Sequence, residues 1–348
     1  MSVTREYEFI IQWHLTERCN LRCRHCYQEG RPGAEMPLAE IRGVVAEIAG
    51  MFAAWRDDYG LELAPSFNLT GGEPFLRADF FEIIEDVAGR GWAVFVLSNG
   101  TLIDAEKAQK LAALGVKGVQ VSMEGPREVH DQIRGPGSFA AAVAGTRALL
   151  EAGMRVNFNT TLSTVNADHF PALVDLTASL RVPELGFTRL VPSGRGQLML
   201  ETMLTTAQVR DFYQRILSLE VPGLAIGTGD PMAAQMGEAD PQDAGSIPLG
   251  GCAAGVSGLT LLPDGTVLPC RRLPLPLGNV RQDPLREIWA VSPVLAALRD
   301  RRRYKGKCGR CPRWAQCRGC RAIAYAYSQG LGTPDFLAPD PQCFIDGD

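Results

Sequence analysis

Apolar runs and amphipathic stretches alternate along residues 8–200. The run Phe9-Ile10-Ile11-Gln12-Trp13-His14-Leu15 reads as a first strand. Across residues 36–55 the positions Met36, Ile41, Val44, Val45, Ile48 and Phe52 form one apolar stripe, which predicts a helix. Residues 65–69 form a second strand running into Thr70-Gly71-Gly72-Glu73-Pro74, and Asp79 caps a helix extending to about Arg90. A third strand over 93–97 ends in Ser98-Asn99-Gly100, and Asp104 caps a helix ending at Leu114. Strands follow at 118–122, 155–160 and 185–190, separated by helices at 138–152 and 168–180. Six parallel βα units predict an α/β fold, either an open doubly wound sheet or an incomplete barrel. Both place the loops that follow the strands on one functional face.

The pattern changes after residue 191. Residues 205–218 read as a helix and 224–226 as a short strand, while 227–246 is rich in Gly, Pro, Asp and Ala and reads as a loop or linker. Residues 258–268 read as a hairpin with Asp264-Gly265 in its turn.

With 348 residues, the chain fits two domains or one large domain with an appendage. The net charge is −4 with interspersed signs, which disfavours nucleic acid as a partner. The basic cluster over 299–307 reads as a solvated helix end. No signal-type apolar region or long apolar run occurs, so a cytoplasmic protein without a membrane span is expected. Ten cysteines in such a chain argue for metal rather than disulfides.

Cysteine placement carries the chemistry. Cys19-Asn-Leu-Arg-Cys23-Arg-His-Cys26 puts three thiols on the loop leaving the first strand. Three thiolates can hold three irons of a [4Fe–4S] cube and leave the fourth iron open. Structural zinc, with His14 or His25 as fourth ligand, and plain buried cysteines are the alternatives.

The spacing of Cys19, Cys23 and Cys26 resembles the C-x-x-x-C-x-x-C signature of the radical S-adenosylmethionine (SAM) enzymes. The resemblance implies that the open iron chelates the methionine moiety of SAM. Reductive cleavage to a 5′-deoxyadenosyl radical and hydrogen abstraction from a substrate would follow. Gly71, Gly72, Glu73 and Pro74 resemble the family's G-G-E-P motif, which implies a SAM contact with Glu73 near the amino group. Ser98 and Asn99 match a polar pair near the ribose, and His25 sits where the family has an aromatic beside the adenine. Ser122 with Glu124-Gly125-Pro126 occupies the S-x-D-G-P position, Glu replacing the usual Asp. Arg134 fits an arginine of the SAM carboxylate region and equally fits a surface ion pair; Asn159 and Arg189 have positional support only. The likeness selects an incomplete (β/α)6 TIM-like barrel.

The remaining seven cysteines lie beyond residue 251. Cys252 and Cys270 flank the hairpin, followed by Cys308-x-x-Cys311-x5-Cys317-x-x-Cys320 and Cys343. Alone, this pattern fits a zinc ribbon or iron–sulfur sites equally. Behind a radical SAM barrel it resembles the SPASM extension, a small cysteine-rich α+β domain holding auxiliary clusters in peptide and protein maturases. The resemblance implies an outer cluster on Cys308, Cys311, Cys317 and Cys343 and an inner one on Cys252, Cys270 and Cys320. No eighth cysteine follows Cys252, which implies an open inner site, a non-cysteine ligand such as Asp264, or a [2Fe–2S] core. The expected division is a barrel at 1–200, a bridge at 201–245 and the cluster domain at 246–348.

Arg271 stands where anaerobic sulfatase maturases carry an aspartate base, which sets that activity aside. The first strand begins by residue 9, so a leader-recognition domain is expected to be a separate protein or absent. The expected substrate is a ribosomally made peptide matured at a side chain, for example by thioether formation. A flavodoxin- or ferredoxin-type reductant and anaerobic conditions go with it. Cys-Arg-Gly-Cys-Arg-Ala also resembles enzymes of haem and haem d1 biosynthesis, which makes a tetrapyrrole the alternative substrate. From a different class, an electron-transfer or zinc-binding module would have no SAM affinity and no role for residues 71–74.

Overall fold

The computed structural model describes residues 7–28, 34–61, 63–237, 248 and 250–345. Six strands, β1 (Tyr7–His14), β2 (Leu63–Thr70), β3 (Ala93–Ser98), β4 (Gly118–Ser122), β5 (Val156–Leu162) and β6 (Glu184–Arg189), pair in parallel in sequence order. A doubly wound sheet reverses its winding beside its first strand, whereas this one runs in one direction throughout. That is the order of a barrel, and β1 and β6 do not pair, so the barrel stays incomplete.

The helices follow from local signals. The first, α1 (Leu38–Tyr59), starts after Pro37 and ends at Gly60, whose left-handed φ of 64° lets its N–H reach Arg56 O. It buries Ile41, Val44, Val45, Ile48, Met51 and Phe52, the stripe read from the sequence with Met51 added, while Met36 is buried just before the helix begins. Then come α2 (Phe80–Ala88), α3 (Ala105–Ala113), α4 (Arg127–Arg134), α5 (Ser138–Glu151), α6 (Phe170–Ser179) and α7 (Thr206–Leu217). Asp104 caps α3 through Lys107 N as expected, but Asp79, at the cap position of α2, turns its carboxylate to Arg77 instead. The short α4 was not read from the sequence; its polar composition hides a buried face of Val129, His130, Ile133 and Arg134.

The sheet does not end with the six barrel strands. A short β7 (Ala225–Gly227) adds in parallel to β6. On the other side β8 (Gly258–Leu261) adds in parallel to β1, followed antiparallel by β9 (Thr266–Leu268) and β10 (Gly278–Asn279). The Asp264-Gly265 hairpin is therefore present, and it continues the barrel sheet. All four residues of β8 are buried, and its partner lies over two hundred residues earlier, beyond any local pattern. Beyond it, α8 (Leu285–Val291) brings Trp289 to within 5.1 Å of the Phe9 ring, edge to face. The chain closes with α9 (Pro293–Arg299), α10 (Gly306–Arg310) and α11 (Arg321–Gly330).

The basic cluster is more than a solvated helix end. Arg299 lies 4.4 Å over the Trp289 ring and donates to Gly255 O, while Arg301 donates to the carbonyls of Gly309, Arg310 and Cys311. Part of the expected 227–246 loop is a 3-10 turn at Pro231–Gln235; residues 238–246 of it lie outside the described residues. No described helix is long and apolar enough to cross a membrane.

Candidate active site

The loop after β1 is clasped by the loop after β2. Gly72 N donates to Thr16 O at 2.7 Å and Glu73 N to Arg18 O at 2.8 Å. A Cβ on Gly71 would stand 2.5 Å from Thr16 O, and one on Gly72 2.2 Å from Arg18 O. The two glycines thus admit the backbone that leads into the cysteine loop, where the sequence reading had them approach only a ligand. Arg77 completes the clasp, donating to Leu15 O (2.8 Å) and Met36 O (2.6 Å) while pairing with Asp79.

Glu73 is fully buried and does not reach the cavity wall. Its carboxylate accepts from Ser98 Oγ (2.9 Å), Asn99 N (2.9 Å) and Phe75 N (3.4 Å). Burial pushes its carboxyl up to about 7, against the pull of these donors. Pro74 is also buried off the wall, opening a 3-10 turn. Glu73 fixes the end of β3, where Asn99 Nδ2 in turn donates to Asn20 Oδ1 of the cysteine loop at 2.9 Å.

A second buried carboxylate organises the opposite side. Glu124 accepts from Arg134 Nε (2.9 Å) and Nη2 (2.5 Å), from Thr160 Oγ1 (3.0 Å) and from Thr161 N (2.9 Å), and lies 3.1 Å from His25 Nε2. Burial opposes its ionisation, yet Arg134 and His25 hold its carboxyl well below the usual range. Arg134 is therefore half of a buried ion pair, and its Nη1 also lies 3.8 Å from Cys23 Sγ. The sequence marked Glu124 only as a substitute for Asp, because its four partners converge from three separate parts of the chain, the cysteine loop, α4 and β5.

These elements surround a cavity of about 150 Å³ at the C-terminal ends of the barrel strands. Cys19, Cys23, Cys26 and His25 line it, facing Gly71, Gly72, Ser98 and Asn99. Ser122, Arg134 and Asn159 close the far side. Arg189 does not reach it: fully buried, it pairs with Asp230 (2.9 Å) and Asp340 (2.8 Å) and joins the end of β6 to the C-terminal segment. Sequence reasoning missed Tyr27, Gln120, Thr161, Arg195 and Arg272 on the wall, and used Arg271 only to set one activity aside. The period-2 register of β4 and β5 offered a signal for Gln120 and Thr161, two residues from Ser122 and Asn159.

The other cysteines gather in two further cavities. Cys308, Cys311, Cys317 and Cys343 line one; Cys252, Cys270 and Cys320 line the other, between the barrel and the C-terminal region. Asp264 is not on that wall; it accepts from Thr266 N in the hairpin turn. Among the described residues, no three His, Cys, Asp or Glu side chains converge on a point for a single ion. Four thiols around one cavity and three around the other are a donor set that fits iron–sulfur clusters.

Comparison with known proteins agrees. Residues 13–177 match the model of the radical SAM superfamily, and residues 252–321 that of SPASM, an iron–sulfur cluster-binding domain. The chain is 32% identical to the AdoMet-dependent heme synthase of Methanosarcina barkeri (strain Fusaro / DSM 804), over 96% of this chain and 95% of that protein. It is also 32% identical to the mycofactocin maturase MftC of Mycobacterium ulcerans (strain Agy99), over 96% of this chain and 87% of that protein. Among solved structures, Streptococcus suis SuiB bound to S-adenosylmethionine shares the fold with a TM-score of 0.74 at 17% identity, covering 98% of this chain and 78% of that one. With both cysteine regions matched and relatives aligned along nearly its whole length, the chain belongs to the radical SAM superfamily and carries a C-terminal SPASM domain.

Proposed function

We propose that this radical SAM enzyme matures a peptide substrate, and that each cysteine set holds one iron–sulfur cluster. The observation that carries the reading is the sorting of all ten cysteines into three cavities of three, four and three. Cys19, Cys23 and Cys26 would hold the [4Fe–4S] cluster that binds SAM; together the two supply a 5′-deoxyadenosyl radical for hydrogen abstraction. Cys308, Cys311, Cys317 and Cys343 would hold the outer auxiliary cluster. Cys252, Cys270 and Cys320 would hold the inner one, whose fourth position has no thiol, imidazole or carboxylate on the described wall.

The chain's own residues shape the SAM cavity. Ser98 and Asn99, fixed from behind by Glu73, present polar groups beside the cysteine loop. Arg134 offers a guanidinium to Cys23 and to the cavity, its charge balanced by Glu124. His25 keeps one nitrogen, Nδ1, buried without a partner in the described structure, free to meet a ligand. The division at 1–200, 201–245 and 246–348, a cytoplasmic location, a flavodoxin- or ferredoxin-type reductant and a separate leader-recognition protein belong to the same reading.

Support for a peptide comes from the mycofactocin maturase relative. A second reading, modification of a tetrapyrrole side chain, is favoured by the heme synthase relative, which has the same identity and is aligned over more of its own length. Anaerobic co-expression with the peptides encoded beside the gene, followed by mass spectrometry, tests the first. A mass change in a peptide that requires Cys19, Cys23 and Cys26 supports it. Unmodified peptides, together with turnover of an iron porphyrin, would establish the second instead.

A further inference from the structure

Most of the buried arginines among the described residues have their charge met by carboxylates or carbonyls. Arg77 pairs with Asp79, Arg134 with Glu124 and Arg189 with Asp230 and Asp340. Arg318 and Arg321 each donate to at least two backbone carbonyls. Arg271 and Arg272, both half-buried, differ. They form the tip of a tight turn after Cys270, closed by Leu273 N donating to Cys270 O at 2.9 Å and anchored by the buried Leu273 side chain. Both line the cavity of Cys19, Cys23 and Cys26, and both line the cavity of Cys252, Cys270 and Cys320. They therefore stand in the wall between the two.

Neither has a carboxylate partner among the described residues. Arg271 makes one side-chain hydrogen bond there, from Nη1 to Gln12 Oε1 at 2.5 Å. Buried Arg272 Nε has no partner, and neither has Gln12 Nε2 on the same wall. No described thiol is hydrogen-bonded to either guanidinium, although a thiol contact to Arg134 and one to Arg321 are present elsewhere. That wall gathers two planar cations and orphaned N–H donors, and besides the thiols of Cys252, Cys270 and Cys320 it holds no acceptor that can carry negative charge. The guanidinium fork matches a carboxylate, to which it donates two parallel hydrogen bonds.

We propose that Arg271 and Arg272, with the carboxamide of Gln12, form a subsite that binds a carboxylate of the peptide substrate beside the SAM cavity. The inference rests on the peptide reading, and the carboxylate belongs to an acidic side chain or to the C-terminus.

The test uses the anaerobically reconstituted, cluster-loaded protein with SAM bound. Three pentapeptides serve as calorimetric probes: a glutamate between glycines with both ends blocked, its glutamine counterpart, and the glutamine peptide with a free C-terminal carboxylate. The wild type is expected to bind one of the carboxylate peptides at least about tenfold more tightly than the blocked glutamine peptide. Which one it prefers identifies the source of the group. The preference should vanish in the double variant Arg271→Gln/Arg272→Gln and return in part in Arg271→Lys/Arg272→Lys. Iron content should stay unchanged in both, and every titration is run at a SAM concentration that saturates the variant concerned. A fourth probe, coproporphyrin against its tetramethyl ester, separates the two levels of inference. Discrimination there, lost in the glutamine variant and without any peptide binding, keeps the carboxylate subsite and retires the peptide reading. The subsite is overturned if no probe shows a preference for carboxylate, or if the preference survives the glutamine variant. Loss of iron from that variant, with no carboxylate preference in the wild type, also overturns it, making the guanidiniums counter-charges for a cluster.

Discussion

Glu73 shows how much a single carboxylate decides when it is fully buried. Three donors, on Ser98, Asn99 and Phe75, have this group as their acceptor. Truncation would leave them buried and unpaired, at roughly 1–3 kcal/mol for each group that water cannot reach. Glu73→Ala is therefore expected to cost about 2–4 kcal/mol of stability, read as a lower urea midpoint at unchanged slope. Weaker SAM binding should accompany it through the displaced Ser98 and Asn99. An unchanged midpoint would mean that the carboxylate does not hold the end of β3. The Gly-Gly-Glu-Pro stretch was legible in the sequence as a motif, but its division of labour was not. Spacing cannot tell a carboxylate that meets a ligand from one that orders the residues that do.

Between elements, the decisive contact is the clasp of the β2 loop on the β1 loop. Gly72 packs so closely that a methyl group would overlap Arg18 O, a backbone atom that cannot swing aside. Gly72→Ala should displace the segment carrying Cys19 and release iron from that site, while the iron held by the C-terminal cysteines stays. Iron quantification with electron paramagnetic resonance of the reduced protein checks this, and full retention of the spectrum of the first site would refute it. Strand-to-loop order was readable because each strand is a short apolar run with its own turn signal, from Phe9 to Leu190. The additions of β7 and β8 were not, since parallel pairing across long stretches of chain leaves no local pattern. For the same reason Glu124 read as a mere substitution, although the loop after β1, α4 and β5 all meet on it.

At the scale of the whole molecule, barrel and cysteine-rich region share a sheet and a buried ionic lock. Arg189 at the end of β6 binds Asp230 after β7 and Asp340 near the C-terminus, and Asp340 also accepts from Cys320 N at 2.8 Å. Sequence position made Arg189 a candidate for the active site, but its two carboxylate partners lie 41 and 151 residues away. Arg189→Met would strand both carboxylates, at about 3–5 kcal/mol for a broken buried pair. Chemical denaturation of the loaded protein should show that loss, and a change below about 1 kcal/mol would show the lock to be dispensable. The three cysteine sets were legible from spacing and resemblance together, whereas the wall between two of them, with Arg271 and Arg272, needed the fold. The central claim is that Cys19, Cys23 and Cys26 build the SAM-cleaving site and that the other seven cysteines build separate ones. The direct measurement is 5′-deoxyadenosine formed from SAM and dithionite by a variant with all three changed to alanine. The account predicts no product and retained iron at the C-terminal sites; undiminished 5′-deoxyadenosine would contradict it.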